Sequence, residues 1–365
     1  MDKIKIQPSF WNDKRVLITG HTGFVGTWLV FFLKELGATV IGYSRDIPTQ
    51  PSLFEITGLR SSVETIEADV LDYNTLFSTI KKHKPEIVFH LAAQSLVLDS
   101  YKFPVETYTT NIVGTLNLLE TIRQLKKGIA LVNMTSDKCY ENVSTQVNYK
   151  EKDSLGGRDP YSSSKACSEL ITRAYRDSYF PADGTIKHGI SVCSVRAGNI
   201  IGGGDWSNYR LIPDIIRAFQ KGKTLRIRYP NAIRPWQHVF DVINALLLLA
   251  EKLSGNKGEF SEAWNIGPNS ERTWRVEEIV KFFANCWEGH TKWKTEEREK
   301  LKEEIQLSLE TLKAKERIGW EPIWDTINIF EETVNWYKYY FNYPDKIVSY
   351  TRDQVKSFLE RISSS

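Results

Sequence analysis

Residues 15–33 read RVLITGHTGFVGTWLVFFL: a short apolar run, glycines at 20, 23 and 26, then an apolar stretch of helical length. Glycines there permit a tight turn and close approach of the backbone to a ligand. A turn that opens a helix can meet a pyrophosphate with the free amides of the helix N-terminus. The stretch therefore predicts the first βα unit of a dinucleotide-binding fold, and the pattern downstream favours this over a merely structural glycine turn. Apolar runs recur at ATVIGY (38–43), EIVFHLAA (86–93), ALVNMTS (130–136) and ISVCSVRAG (190–198), with stretches of helical length such as 24–36 and 105–125 between them. Strands apolar on both faces that alternate with helices belong in a parallel sheet covered on both sides. The predicted fold class is α/β, a doubly wound parallel sheet.

After about residue 200 the rhythm breaks into the loops IIGGGDWSN and RYPNAIRPWQH, followed by predicted helices near 239–253, 275–287 and 324–340. We expect a dinucleotide-binding domain over 1–199, a smaller mixed substrate-binding lobe over 200–345 interleaved with it, and a C-terminal tail over 346–365. No internal repeat is visible. WKTEEREKLKEE (293–304) reads as a solvated loop or helix face.

At 365 residues and 41% hydrophobic, the chain can bury a full core. Its 48 Lys and Arg against 45 Asp and Glu leave +3, so neither nucleic acid nor a membrane is an expected partner. Cys139, Cys167, Cys193 and Cys286 lack metal-ligand spacing or a paired framework, which predicts free thiols, no metal and a reducing compartment. No apolar run approaches the roughly 20 residues that span a bilayer. A cytoplasmic protein is expected.

DPYSSSKACSEL (159–170) places Tyr161 and Lys165 four apart, on one face of a helix. An ammonium beside a phenol favours the phenolate, lowering a pKa that is ordinarily about 10 and making Tyr161 a usable base. TSDKCYENV (135–143) sets Thr135 at a strand end with Asp137 and Lys138 behind it. That pair is either two solvated charges or a proton donor and acceptor aimed at one substrate. The C-terminal end of a strand, where open α/β sheets place ligands, favours the second. For such chemistry the acid must be protonated and the lysine neutral, so both need a perturbing environment. At the end of the second strand GYSRD offers Ser44 and Arg45, then Asp46; an acid there would bind the ribose of NAD, whereas an arginine would accept the 2′-phosphate of NADP.

HTGFVGTWL, PTQPSLFE, TSDKCYEN, DPYSSSKACSEL, RAGNIIGGGDW and IRPWQHV, spread over about residues 10–322, together resemble the nucleotide-sugar 4,6-dehydratases of the extended short-chain dehydrogenase/reductase family. The Asp-Lys dipeptide is similar to the branch acting on CDP-glucose. The resemblance implies NAD as cofactor, NADP staying open through Arg45. It implies a cofactor site of Gly20, Gly23, Phe24 and Gly26, Ser44 and Arg45, Asp69 and Val70 near the adenine, and Leu91, Ala92, Ala93 and Gln94 beside the nicotinamide ribose. It implies catalysis by Thr135, Asp137, Lys138, Tyr161 and Lys165, the last two also touching cofactor, and phosphate contacts from Asn199, Arg210 and Arg234. In the implied cycle Tyr161 takes the proton of the hydroxyl on sugar carbon 4 during oxidation, Lys138 removes the hydrogen on carbon 5, and Asp137 protonates the hydroxyl leaving carbon 6. A homodimer or higher homo-oligomer is implied as well. Val25, Ser95 and Leu98 depart from the family pattern at the rim of the site. A 4-epimerase or reductase of the same fold is the alternative reading, and a non-catalytic NAD(P)-sensing regulator a remote one.

Overall fold

The computed structural model describes residues 5–142, 148–182, 189–255, 258–268, 274–289, 291–295 and 307–364. Its frame is a seven-stranded sheet of β1 (Arg15–Thr19), β2 (Thr39–Ser44), β3 (Glu64–Glu67), β4 (Ile87–His90), β5 (Ala130–Met134), β6 (Ser191–Ala197) and β10 (Ala263–Ile266). The spatial order is β10-β6-β5-β4-β1-β2-β3 with every neighbour parallel. The order reverses between β1 and β4, opening a crevice at the C-terminal strand ends. The doubly wound parallel sheet read from the sequence is the observed fold.

Strand alternation builds the two apolar layers. Val16 and Ile18 of β1, Ile87 and Phe89 of β4, and Ala130 and Val132 of β5 pack on one face; Leu17, Val88 and Leu131 pack on the other. The first face is covered by α1 (Phe24–Glu35) and α4 (Val239–Gly255), the second by α2 (Gly114–Leu125). Trp28 of α1 is fully buried and donates its indole N–H to the Gly203 carbonyl at 2.9 Å, tying the first helix to the loop that lines the crevice.

Two sheet strands escaped the sequence reading. β3 reads ETIE and is half exposed at the sheet edge, so it has no apolar run; β10 reads AWNI, four residues long, and enters from beyond residue 200 to pair with β6. The predicted helix over 105–125 is interrupted by a π-helical turn at Thr109–Val113. Beyond the sheet, β7 (Ile200–Ile201) pairs with β9 (Gln237–His238) and β8 (Leu225–Ile227) with β11 (Trp293–Thr295). The remainder of the charged 293–304 segment lies outside the described residues. Helix α5 (Ile347–Ser364) returns to α1 through Phe358 against Phe32 and Arg352 on Glu35 at 3.0 Å. Among the described residues no helix is long and apolar enough to cross a membrane, and no group of three His, Cys, Asp or Glu could hold a metal.

Candidate active site

One cleft of ≈ 1680 Å³ runs along the C-terminal ends of the strands, and every site residue singled out from the sequence lines it. At its cofactor end, β1 runs into a turn that only glycine fits. Gly20 has φ 78, and a Cβ there would sit 2.7 Å from the Ala92 nitrogen. A Cβ on Gly26 would collide with the Gly20 carbonyl. Gly23 caps α1, so the amides of Phe24 and its neighbours open into the cleft. Val25, Ser95 and Leu98 line it too.

His21, within the turn, is buried between Ser44 Oγ at 2.9 Å and Thr65 Oγ1 at 3.1 Å, and burial brings it down to about 4. Ser44 is thus engaged by the turn. Arg45 is ringed by carboxylates: Asp46 at 2.9 Å, Glu106 at 3.2 Å and Asp69 at 3.5 Å. Three carboxylates against one guanidinium repel a phosphate dianion and suit ribose hydroxyls. Asp69 also accepts from the Leu71 amide at 2.9 Å, and Val70 is buried beneath Gly114. After β4, the Leu91 and Ala92 amides bond to Thr19, and Gln94 is pinned by Asn111 at 2.9 Å and Thr107 at 2.8 Å.

At the chemical end, α3 (Pro160–Tyr179) starts on a strong cap: Asp159 accepts from the Ser162 amide at 2.9 Å and Pro160 occupies the first turn. The helix presents Tyr161 and Lys165, both buried. Lys165 Nζ donates to the Met134 carbonyl at 3.4 Å, and burial brings its ammonium down to about 8 against the opposing influence of Cys139 and Glu169. The sequence-based expectation of a lowered Tyr161 pKa is not met. Burial and the nearby Asp137 push the phenol up to about 12, against the Ser136 hydroxyl and the Arg210 charge.

The hydroxyl next to that phenol belongs to Ser136. The Thr135 hydroxyl turns the other way, donating to Glu169 Oε1 at 2.5 Å and the Val195 carbonyl at 3.2 Å. Ser136 caps the 3-10 turn Asp137–Cys139, accepting from the Lys138 amide at 3.2 Å and donating to Asp137 Oδ1 at 3.0 Å. Asp137 is 2% exposed, and Gly198 makes room for it, since a Cβ there would collide with its carboxylate. Lys138 lines the cleft beside it.

At the far end, Asn199 has φ 30 and its carbonyl accepts from the Gln237 amide at 3.2 Å. Arg210 donates to Asp205 at 3.1 Å and to Ser95 at 3.2 Å; Arg234 donates to the Ile233 carbonyl at 2.9 Å. Arg228 joins them in the lining and is held by the Tyr209 carbonyl at 3.1 Å. Trp206 packs edge-on against Tyr337 and Tyr340, and His238 is buried against Phe240 and Trp324.

Residues 16–267 match the NAD dependent epimerase/dehydratase family. The chain belongs to this family. A CDP-glucose 4,6-dehydratase of Salmonella typhimurium is 44% identical over 95% of this chain and 97% of that protein. Among solved structures, an epimerase of Methanothermobacter thermautotrophicus superimposes with a TM-score of 0.79 at 23% identity, covering 93% of this chain and 96% of that one. A UDP-glucose 4-epimerase of Thermotoga maritima, solved with UDP-glucose, gives 0.74 at 25% identity, covering 90% and 99%. The cofactor of this NAD-dependent family member is NAD, in accord with the carboxylates around Arg45.

Within the family frame, sequence reading missed Ser136, Gly198 and Arg228. The only local hint of the first is that it neighbours Thr135 with similar chemistry; the contact that turns the Thr135 hydroxyl away, to Glu169 at 2.5 Å, comes from 34 positions along the chain. Gly198 and Arg228 carried no comparable local signal.

Proposed function

We propose that the chain removes water from a nucleotide-linked hexose, CDP-glucose, to give the 4-keto-6-deoxy sugar nucleotide. The observation that carries this reading is the Asp137–Lys138 pair on a short turn whose capping hydroxyl, Ser136, reaches Tyr161, all lining one cleft. A 4-epimerase or reductase needs Tyr161 and Lys165 but has no use for an adjoining acid and base. The CDP-glucose 4,6-dehydratase of S. typhimurium supports the choice of nucleotide.

The residues fit NAD: glycines leave room at the turn, amides open at the head of α1, and the acidic surroundings of Arg45 suit unphosphorylated ribose. Gly20, Gly23, Phe24 and Gly26 hold the pyrophosphate; Arg45, Asp69 and Val70, with Ser44 braced by His21, the adenosine; Leu91 to Gln94 the nicotinamide ribose. Bound NAD supplies a hydride acceptor for carbon 4 and a hydride donor for carbon 6, so the cycle has no net redox change.

Tyr161 accepts the proton of the carbon 4 hydroxyl. A phenol that burial pushes up needs support for its anion, which the Ser136 hydroxyl and the Lys165 ammonium provide; Ser136 takes the role first assigned to Thr135. The ketone at carbon 4 acidifies the hydrogen on carbon 5. Lys138 is placed to remove it and to return it to carbon 5 as hydride reaches carbon 6, and Asp137 to deliver a proton to the hydroxyl leaving carbon 6. Asn199, Arg210, Arg228 and Arg234 hold the phosphates, where planar guanidinium forks suit paired oxygens.

Incubation with CDP-, dTDP-, UDP- and GDP-glucose, followed by mass analysis, tests the reading: water should be lost from the CDP sugar at the highest kcat/KM. Interconversion of 4-epimers without water loss would overturn it.

A homodimer is part of the same proposal. Phe103, Val105, Val113 and Leu116 on the 103–125 segment, with Leu170 on the adjoining α3, leave an apolar face exposed, Val105 to 75%. Two copies that pack these helices together cover it. Sedimentation equilibrium should return twice the chain mass, and a monomer at micromolar concentration would count against the pairing. The four free thiols suit a reducing cytoplasm.

A further inference from the structure

Behind the acid/base turn lies a buried ion pair that neither the cofactor cradle nor the substrate end uses. Glu169 on α3 and Arg196 on β6 are 2% and 4% exposed, and their charged groups meet at 2.7 Å. Each also grips one end of the turn. Glu169 Oε1 accepts the Thr135 hydroxyl at 2.5 Å, while its Oε2 accepts from Ser194 at 2.9 Å. Arg196 Nη1 donates to the Tyr140 hydroxyl at 2.8 Å and to the Glu151 carbonyl at 3.0 Å, with its guanidinium 4.9 Å from the centre of the Tyr140 ring. Tyr140 in turn donates to Asn265 Oδ1 at 2.6 Å on β10. Only Ser136, Asp137, Lys138 and Cys139 lie between the two gripped residues.

Burial alone would raise the Glu169 pKa, but Arg196 and the hydroxyls of Thr135 and Ser194 bring it below the ordinary carboxylate range, so the carboxylate stays charged. A buried ion pair is weak as a source of stability, because desolvating both ions offsets most of their attraction and well-packed apolar side chains do as well. What such a pair does supply is direction, because its buried hydrogen bonds fix Thr135 and Ser194 on the carboxylate and Tyr140 on the guanidinium. Glu169 lies one helical turn beyond Lys165 on α3, so it ties the turn to the helix that carries Tyr161.

We propose that the Glu169–Arg196 pair is a positioning clamp that holds Asp137 and Lys138 in register with Tyr161. Glu169, Arg196, Thr135 and Tyr140 are positioning residues. The proposal rests on the acid/base reading of Asp137 and Lys138: that reading requires two side chains to meet carbons 5 and 6 while Tyr161 meets carbon 4, and displacement by about 1 Å costs on the order of 10²-fold in rate.

Thr135→Val and Tyr140→Phe each remove one grip while leaving the ion pair and the side chains that do the chemistry in place. Both are milder than Glu169→Gln, which strands Arg196 in the core. Each is expected to lower kcat for water loss about 10- to 100-fold with KM and melting temperature near those of the parent, and Thr135→Ser to restore it. Oxidation at carbon 4 uses only the Ser136 hydroxyl of the turn, whereas elimination uses both Asp137 and Lys138, so oxidation should fall less than elimination and reduced cofactor should accumulate by absorbance during turnover. Parent-like kcat in both folded variants overturns the clamp, as does an equal loss of oxidation and elimination without reduced cofactor. Lys138→Met run in parallel separates the two ideas. Water loss at the parent rate in Lys138→Met brings down the acid/base reading itself; a dead Lys138→Met beside full-speed clamp variants brings down the clamp alone.

Discussion

Tyr161→Phe is expected to turn over about 10²–10⁴-fold more slowly than the parent while binding cofactor and substrate as well, the range lost when a positioned general base is removed. The substitution keeps the buried ring and deletes only the hydroxyl beside Ser136. Without it no group stands ready to take the carbon 4 proton, since the Thr135 hydroxyl is held by Glu169 and the Lys165 ammonium is a donor. Oxidation comes first in the cycle, so reduced cofactor should not appear even transiently. Rapid-mixing absorbance together with mass-detected water loss checks both points. Activity within tenfold of the parent would remove Tyr161 from the role.

Lys138→Met should fail at a different step. Tyr161, Ser136 and Lys165 are untouched, so carbon 4 is still oxidised, but the hydrogen on carbon 5 has lost its base; water loss should drop about 10²–10⁴-fold. Reduced cofactor should build up on the enzyme, and deuterium from solvent should stay out of carbon 5. Asp137→Asn separates the other half. Elimination slows for want of an acid, while Lys138 continues to exchange the carbon 5 hydrogen with solvent. An unchanged rate of water loss in Lys138→Met would mean that the lysine is a solvated charge at a strand end, and the 4-epimerase reading would regain its standing.

Much of the fold was legible because its signals are local. Five central strands announce themselves as apolar runs, since a strand covered on both faces has no solvent side to vary. The two missed strands sit at the sheet edges, where ETIE faces water and AWNI carries Asn265, whose amide oxygen serves Tyr140. The site was legible to a similar depth. The glycine turn and the four-residue spacing of Tyr161 and Lys165 are steric and helical facts within one segment, and all the residues picked out line one cleft. The polar partnerships were not legible. Thr135 and Ser136 are neighbours of similar chemistry, and what separates them is Glu169, 34 positions along the chain.

By itself, then, the sequence determined the order of βα units, the place of the glycine turn, and the pairing of a tyrosine with a lysine on one helix face, because each depends on backbone sterics or helical periodicity within a few residues. Tertiary structure alone decided which hydroxyl meets the phenol, that burial drives Tyr161 up rather than Lys165 drawing it down, and that Glu106 and Asp69 join Asp46 around the charged Arg45, a ring of carboxylates that repels a 2′-phosphate. The physical reason is common to all three. Hydrogen bonds and charge interactions act through space over a few ångströms, so their partners are chosen by how distant segments pack and not by how near they stand along the chain.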